Sequence, residues 1–154
     1  MPTLLTLKEA QKEWREIHKG DLPPEDANAR RRALYYNHPM WKIIRKQHLM
    51  KQPLDEVMLS CGKVVPAKQC HHVVKWDAQE TDERKMMLLT DDDNVVSVSQ
   101  ATHEMIHRAP EKLPREALEF LRAKREQIRH KYYDMYEMDI NMKDLDLIMN
   151  DVTT

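Results

Sequence analysis

The chain has 154 residues, of which 33% are charged, and its formal net charge is −1. This length suits one compact domain with helical extensions rather than several independent domains. No apolar run approaches the roughly 20 residues that a bilayer span needs, and the first residues lead directly into a charged segment. We therefore expect a cytoplasmic protein without a signal peptide, with Cys61 and Cys70 as reduced thiols.

The N-terminal part, residues 1–52, is predicted to be helical and basic. A first helix is expected from Thr6 to about Lys19, and a second begins near Pro24 and includes Arg30-Arg31-Arg32. A third follows His38-Pro39. From residue 27 to residue 54 there are seven Lys or Arg and no acid, which is typical either of a phosphate-binding surface or of a solvated helix face.

The central part, residues 53–109, changes character. Residues 62–67 and 69–74 are predicted as two short extended pieces around a turn. Residues 81–93 are polar and are expected to form a loop around one apolar patch. Residues 94–98 then lead into a short helix from about Ser99 to His107, so the fold class expected is α+β.

The C-terminal part, residues 110–154, is predicted to be one long helix followed by an acidic tail. The helix runs from Arg115 to about Met138, after Pro110 and Pro114. Residues 134–151 carry six acids against one lysine and are dotted with Met and Leu. Such a tail is expected to pack on its own chain or to bind a partner, including a second copy in a homodimer.

Four histidines are the candidates for chemistry. His103 and His107 lie four residues apart on one face of a predicted helix, so both imidazoles can reach one ion. His71 and His72 end an extended segment, where adjacent side chains point to opposite faces and a regular strand would bring one of them to that ion. Any single histidine is more often solvated or hydrogen-bonded in a core; the group of four favours a site.

A set of spaced residues carries a family resemblance. In chain order they are Tyr36, Trp41, Arg45, Pro53-Leu54, Gly62, Pro66-Ala67, His71-His72-Val73, Asn94-Val95 and His103. Their order and spacing, over about half of the chain, resemble those of the HNH endonucleases of phages and bacteria.

The resemblance implies a ββα-metal core embraced by N-terminal helices and a long C-terminal helix. It implies DNA hydrolysis with one divalent cation, giving 5′-phosphate and 3′-hydroxyl products. His72 matches the family's general base, Asn94 the residue that orients the loop and the base, and His103 a metal ligand. The likeness is closest to small phage-type members, which implies a role in phage DNA processing, packaging or homing in a host cytoplasm, or else in host defence.

Two departures from that pattern concern metals. His71 stands where phage-type members have Asp, and with His103 and His107 it resembles the three-histidine site of the colicin nucleases. This favours Zn²⁺, Ni²⁺ or Mn²⁺ over a site for Mg²⁺ alone; otherwise His107 interacts with the helix dipole. The second departure concerns the zinc knuckle, a structural zinc site of four cysteines that members of the family often carry outside the active site. This chain has no cysteine at the four corresponding positions, so no structural zinc is expected there. These positions are Asp55, Met58, Ser99 and Thr102.

The basic stretch supplies the candidate DNA contacts. They are Arg30, Arg31, Arg32, Lys42, Arg45 and Lys46. Two rival functions stay open. His103-Glu104-Met105-Ile106-His107 is also the HExxH string of zinc metalloproteases, in which Glu activates water. A non-catalytic DNA-binding or packaging accessory that retains the HNH shell is the other.

Overall fold

The computed structural model describes residues 27–143 together with Glu9 and Lys12, and for residues 27–31 it describes the backbone alone. Within these residues it is an α+β protein with six α-helices and one two-stranded antiparallel sheet, which confirms the predicted fold class. The predicted helix from Thr6 to Lys19 lies outside the described residues, apart from Glu9 and Lys12. None of the described helices has the length and apolar character to cross a membrane.

The two N-terminal helices are those that the sequence predicts. The helix α1 spans Ala27–Tyr36 and α2 spans Pro39–Lys51. His38 caps α2, because its Nδ1 accepts the backbone N–H of Met40 at 3.1 Å and Pro39 supplies a first residue with a fixed φ. Trp41 is buried in the core on the inner face of α2.

The sheet differs from the prediction in its pairing. Its strands are β1, Gln69–His72, and β2, Val95–Val98, with His71 opposite Val96 and His72 opposite Val95. The predicted extended piece at residues 62–67 is not a strand, and only Pro66 makes an isolated bridge, to Leu54. Gly62 has a positive φ of 77° and Pro66 has no N–H for a ladder, so this segment turns instead.

The predicted loop at residues 81–93 is also wrong, because most of it is the helix α4, Asp82–Leu89. Thr81 caps this helix by accepting the N–H of Arg84, and two acids stand in its first turn, where the helix dipole favours them. Leu88 and Leu89 at its C-terminal end are completely buried. They fix the position at which the helix ends.

A short helix, α3, Glu56–Leu59, is joined to β2 by two carboxylates. Asp55 is completely buried; it accepts the N–H of Met58 and that of Ser99, each at 2.9 Å. Glu56 accepts the N–H of Ser97. Asp55 and Ser99, two of the four positions at which the sequence predicts no structural zinc, are therefore linked by a hydrogen-bonded clip.

The two C-terminal helices are confirmed as predicted. The helix α5 spans Gln100–Arg108 and α6 spans Arg115–Tyr136. Two apolar clusters pack around the sheet, and β2 contributes Val95 to one and Val96 and Val98 to the other, as the alternation along a strand requires.

After α6 the chain turns back on itself. Ile140 is buried, and Gln79 exchanges two hydrogen bonds with the backbone of Asn141. This part of the predicted tail is therefore packed on its own chain. Residues 144–154, on which the predicted partner contact mainly falls, lie outside the described residues.

Candidate metal centre

Three imidazoles from two elements meet at one point. His71 comes from β1, while His103 and His107 come from successive turns of α5. Their ring centroids are 5.3 Å apart for His71 and His103, 5.2 Å for His71 and His107, and 4.6 Å for His103 and His107. One potential ligand atom from each ring lies within 4.8 Å of the other two. The predicted four-residue spacing on α5 thus does place both side chains beside the strand.

The three rings differ in burial: His71 is buried, His103 is half-buried and His107 is exposed. His71 is only 5% exposed, and its Nε2 is buried without a hydrogen-bond partner. Leaving such an atom unpaired costs about 1–3 kcal/mol. Burial, and after it the neighbouring His103 and His107, hold the pKa of His71 well below its usual range. The ring is therefore neutral at cellular pH and keeps a lone pair, the form that binds metal.

The cluster fits a catalytic rather than a structural ion. A tetrahedral ion with metal–nitrogen bonds of about 2.0–2.1 Å needs its nitrogens about 3.3 Å apart, so a bound ion would draw the three rings closer than the 4.8 Å within which their ligand atoms lie. Three protein ligands leave a fourth position for water or substrate. Imidazole ligands suit Zn²⁺, Ni²⁺ and related ions.

His72 lies next to the cluster but is held differently. Its Nε2 is 3.0 Å from the carbonyl oxygen of Leu89. A carbonyl only accepts, so Nε2 carries the proton in this bond and Nδ1 is left as a proton acceptor. Burial is the main reason that the pKa of His72 falls to about 4; the bond to Leu89 opposes the fall and His103 adds to it. The ring packs against Trp41 at a centroid distance of 4.4 Å.

Asn94 fixes the end of α4, the helix whose last carbonyl is hydrogen-bonded to His72. It is completely buried, and its amide donates to the carbonyl oxygens of Val74 and Leu88, each at 3.0 Å, while its Oδ1 accepts the N–H of Val74. Leu88 and Leu89 are the last residues of α4, where helix carbonyls lack partners within the helix. Asn94 takes one of these carbonyls and His72 the next, so Asn94 is a positioning residue.

A cavity of about 580 Å³ joins these groups. It is lined by the histidines of the cluster, by His72 and by the aromatic rings of Tyr36, Trp41 and Trp76. Its cationic lining residues are Arg32, Arg45, Lys68 and Lys75, against the single acid Asp77. The three-histidine cluster thus opens into a basic recess, the electrostatic setting that attracts a phosphate.

The predicted DNA contacts are divided by this geometry. Arg32 and Arg45 line the cavity, whereas Lys42 and Lys46 are exposed on α2 and are not part of its lining. For Arg30 and Arg31 the structure describes only the backbone. The sequence prediction missed Lys68 and Lys75, although they flank the strand that carries the histidine pair.

Glu104, the residue that an HExxH protease would need beside its metal, points elsewhere. It is exposed, its Oε1 accepts a hydrogen bond from Gln100 at 3.3 Å, and it does not line the cavity. The arrangement that would let a carboxylate activate a metal-bound water is therefore not present here.

Comparisons of the chain with models of protein families, with curated proteins and with solved structures found no match. The geometry of the centre therefore carries the functional argument by itself.

Proposed function

We propose that the protein is a metal-dependent endonuclease of the HNH type that hydrolyses phosphodiester bonds in DNA. The observation that carries this proposal is the convergence of His71, His103 and His107 beside His72 in one basic cavity. Three convergent imidazoles, with a separate histidine whose Nδ1 is left as an acceptor, match the division of labour in metal-assisted hydrolysis.

His72 is the general base in this proposal. The bond from its Nε2 to the Leu89 carbonyl directs the lone pair to Nδ1, and Nδ1 takes a proton from water. The water oxygen then bonds to phosphorus as the bond from phosphorus to the 3′-oxygen breaks, leaving a 5′-phosphate and, after protonation from solvent, a 3′-hydroxyl. A divalent cation, which His71, His103 and His107 would hold, would supply charge stabilisation for the reacting phosphate.

DNA is the proposed substrate because the recess is cationic on several sides. Arg32 from α1, Arg45 from α2, and Lys68 and Lys75 from either end of β1 line one cavity. Such side chains neutralise phosphates and position the backbone without reading its sequence. This supports a backbone-directed nuclease that works on cytoplasmic DNA, by nicking or by double-strand cleavage.

The position of Glu104 argues against the metalloprotease alternative. Glu104 is hydrogen-bonded to Gln100 on the exposed side of α5, whereas His72 and Asn94, which a protease would not need, are held by specific bonds. Casein cleavage that disappears in a Glu104→Ala variant would restore the protease assignment.

The proposal is tested with supercoiled plasmid. We expect the purified protein to convert it to nicked or linear DNA with Mn²⁺, Mg²⁺, Ni²⁺ or Zn²⁺ and not with EDTA. The His72→Ala variant should be slower by about 10²- to 10⁴-fold, the usual contribution of a general base. His130→Ala is the matched control, since His130 is an exposed histidine on α6. Equal nicking by His72→Ala and the parent would refute the assigned base.

A further inference from the structure

Gln69, the first residue of β1, touches one of the proposed ligands. Its Oε1 lies 2.7 Å from Nδ1 of His103, a distance at the short end for such a bond. An amide oxygen only accepts, so Nδ1 of His103 carries the proton. In the neutral ring the lone pair then resides on Nε2, the other nitrogen.

We infer that Gln69 is a positioning residue of the metal centre, which fixes the tautomer and the ring orientation of His103 so that Nε2 is presented to the ion. The inference rests on the proposed metal centre. Its physical basis is the general behaviour of metal-binding histidines, whose second nitrogen is held by a hydrogen-bond acceptor.

The choice of an amide has an electrostatic consequence. Gln69 is neutral and the three proposed ligands are imidazoles, so none of these four residues would reduce the positive charge of a bound ion with a carboxylate. That charge remains available to attract a phosphate in the basic cavity. A glutamate at this position would make His103 a more basic ligand and would add a negative charge beside the phosphate.

Two readouts test this inference without using cleavage. The first is the ¹⁵N NMR spectrum of the metal-free protein at about pH 8, where an imidazole of ordinary pKa is neutral. His103 of the parent should show the tautomer with the proton on Nδ1, and Gln69→Leu should shift it toward the tautomer with the proton on Nε2. The second is Zn²⁺ or Ni²⁺ affinity by competition with a chromophoric chelator.

We expect Gln69→Leu to weaken metal binding by about 10- to 100-fold, and Gln69→Glu, which retains the acceptor, to equal or exceed the parent. Gln127→Leu, at an exposed glutamine of α6, is the matched control and should bind as the parent does. Because Gln69→Glu keeps a polar side chain of the same length, it carries the test if Gln69→Leu does not fold, and metal binding weaker than the parent's would then count against the inference.

The outcomes separate this inference from the proposed function. The role of Gln69 would be overturned if the parent binds metal and Gln69→Leu has the same metal affinity and the same His103 tautomer as the parent. That result would leave the nuclease proposal intact. A parent protein that binds no transition metal, with His103→Ala behaving identically, would overturn both.

Discussion

His48 and the cluster of His71, His103 and His107 lie on elements that pack against or belong to the same small sheet. They differ in what surrounds their rings. His48 on α2 has a carboxylate on each ring nitrogen: Nε2 lies 2.8 Å from Glu56 and Nδ1 lies 2.9 Å from Asp92. Glu56 in turn accepts the N–H of Ser97 on β2. The cluster around His71 is surrounded by other imidazoles, and Nε2 of His71 is buried without a partner.

The joint formed by His48, Glu56 and Asp92 pairs both ring nitrogens of its histidine within the chain, whereas Nε2 of His71 is buried without a partner. We therefore interpret His48 as structural and propose His71 as a ligand. Since buried polar groups are nearly always paired, an unpaired one needs an explanation, and a cation is one that fits three convergent imidazoles. Burial by itself would not have distinguished the two sites.

The largest expected effect breaks the comparison at the cluster. In His71→Leu we expect transition-metal affinity to fall by at least about 100-fold, because the loss of a ligand should cost no less than the loss of a ligand's hydrogen-bond partner. Without metal, the same variant should unfold at a denaturant concentration no lower than the parent's, because it removes a buried unpaired nitrogen. Chelator competition and urea titration measure the two quantities.

At the joint formed by His48, Glu56 and Asp92 we expect the opposite result, a loss of stability without a loss of metal affinity. In His48→Leu, Glu56 and Asp92 lose their shared partner, and the free energy of unfolding should fall by about 1–3 kcal/mol with unchanged metal affinity. His130→Leu, on the exposed face of α6, is the control and should change neither quantity. A loss of metal binding in His48→Leu would contradict the separation of the two sites.

The joint also predicts a pH dependence. Burial lowers the pKa of His48, but its bonds to Glu56 and Asp92 outweigh burial, and the net pKa lies above the ordinary 6.5. A raised pKa stabilises the folded state fully below about 6.5, and this contribution is lost as the pH rises through the folded value. The stability difference between the parent and His48→Leu should therefore shrink between about pH 6 and about pH 8. A difference that grows over this range would refute the assignment.

A smaller effect is expected at the carboxylate clip. Asp55→Asn keeps one acceptor oxygen for the two N–H groups of Met58 and Ser99, and should cost about 1–2 kcal/mol. Because the clip contains no metal ligand of the proposed centre, the loss measured by urea titration should be the same with and without EDTA. Asp134→Asn, on the exposed side of α6, serves as the control. A loss that appears only without EDTA would indicate a metal at this position.

The smallest effect concerns salt. Plasmid cleavage should fall steeply with ionic strength, and Arg45→Ala should reduce the slope of log rate against log salt by about 1, the contribution of one phosphate contact. Lys112→Ala, at an exposed lysine outside the cavity, should retain the parent slope. A flat dependence up to about 200 mM salt would contradict phosphate-dominated binding.

Much of the helical part could be predicted because its signals are local. His38-Pro39 begins α2, Ser99 caps α5, and Pro114 precedes α6. The same locality explains why His103 and His107 could be paired from their spacing. Their meeting with His71 depends on the pairing of β1 with β2, which joins residues 20 or more positions apart in the chain.

The remainder depends on contacts that no short pattern reveals. Residues 69–74 have an extended pattern, and the sequence predicted residues 62–67 as the extended piece beside them. That piece contains Pro66 and a glycine with positive φ. The polar character of residues 81–93 and their acidic end suggested a loop, although Thr81 and the acids that follow it are a helix start. Gln69 escaped notice because its bond to His103 exists only in the folded chain.

The most direct test of the central claim is the rate of plasmid nicking as a function of Mn²⁺ or Ni²⁺ concentration. We predict a saturable curve for the parent, a curve shifted to higher cation concentration for His71→Ala, and a curve for His72→Ala that stays about 10²- to 10⁴-fold lower at saturation. Cleavage that is independent of added cation, or a His72→Ala rate equal to the parent's at saturation, would contradict the account.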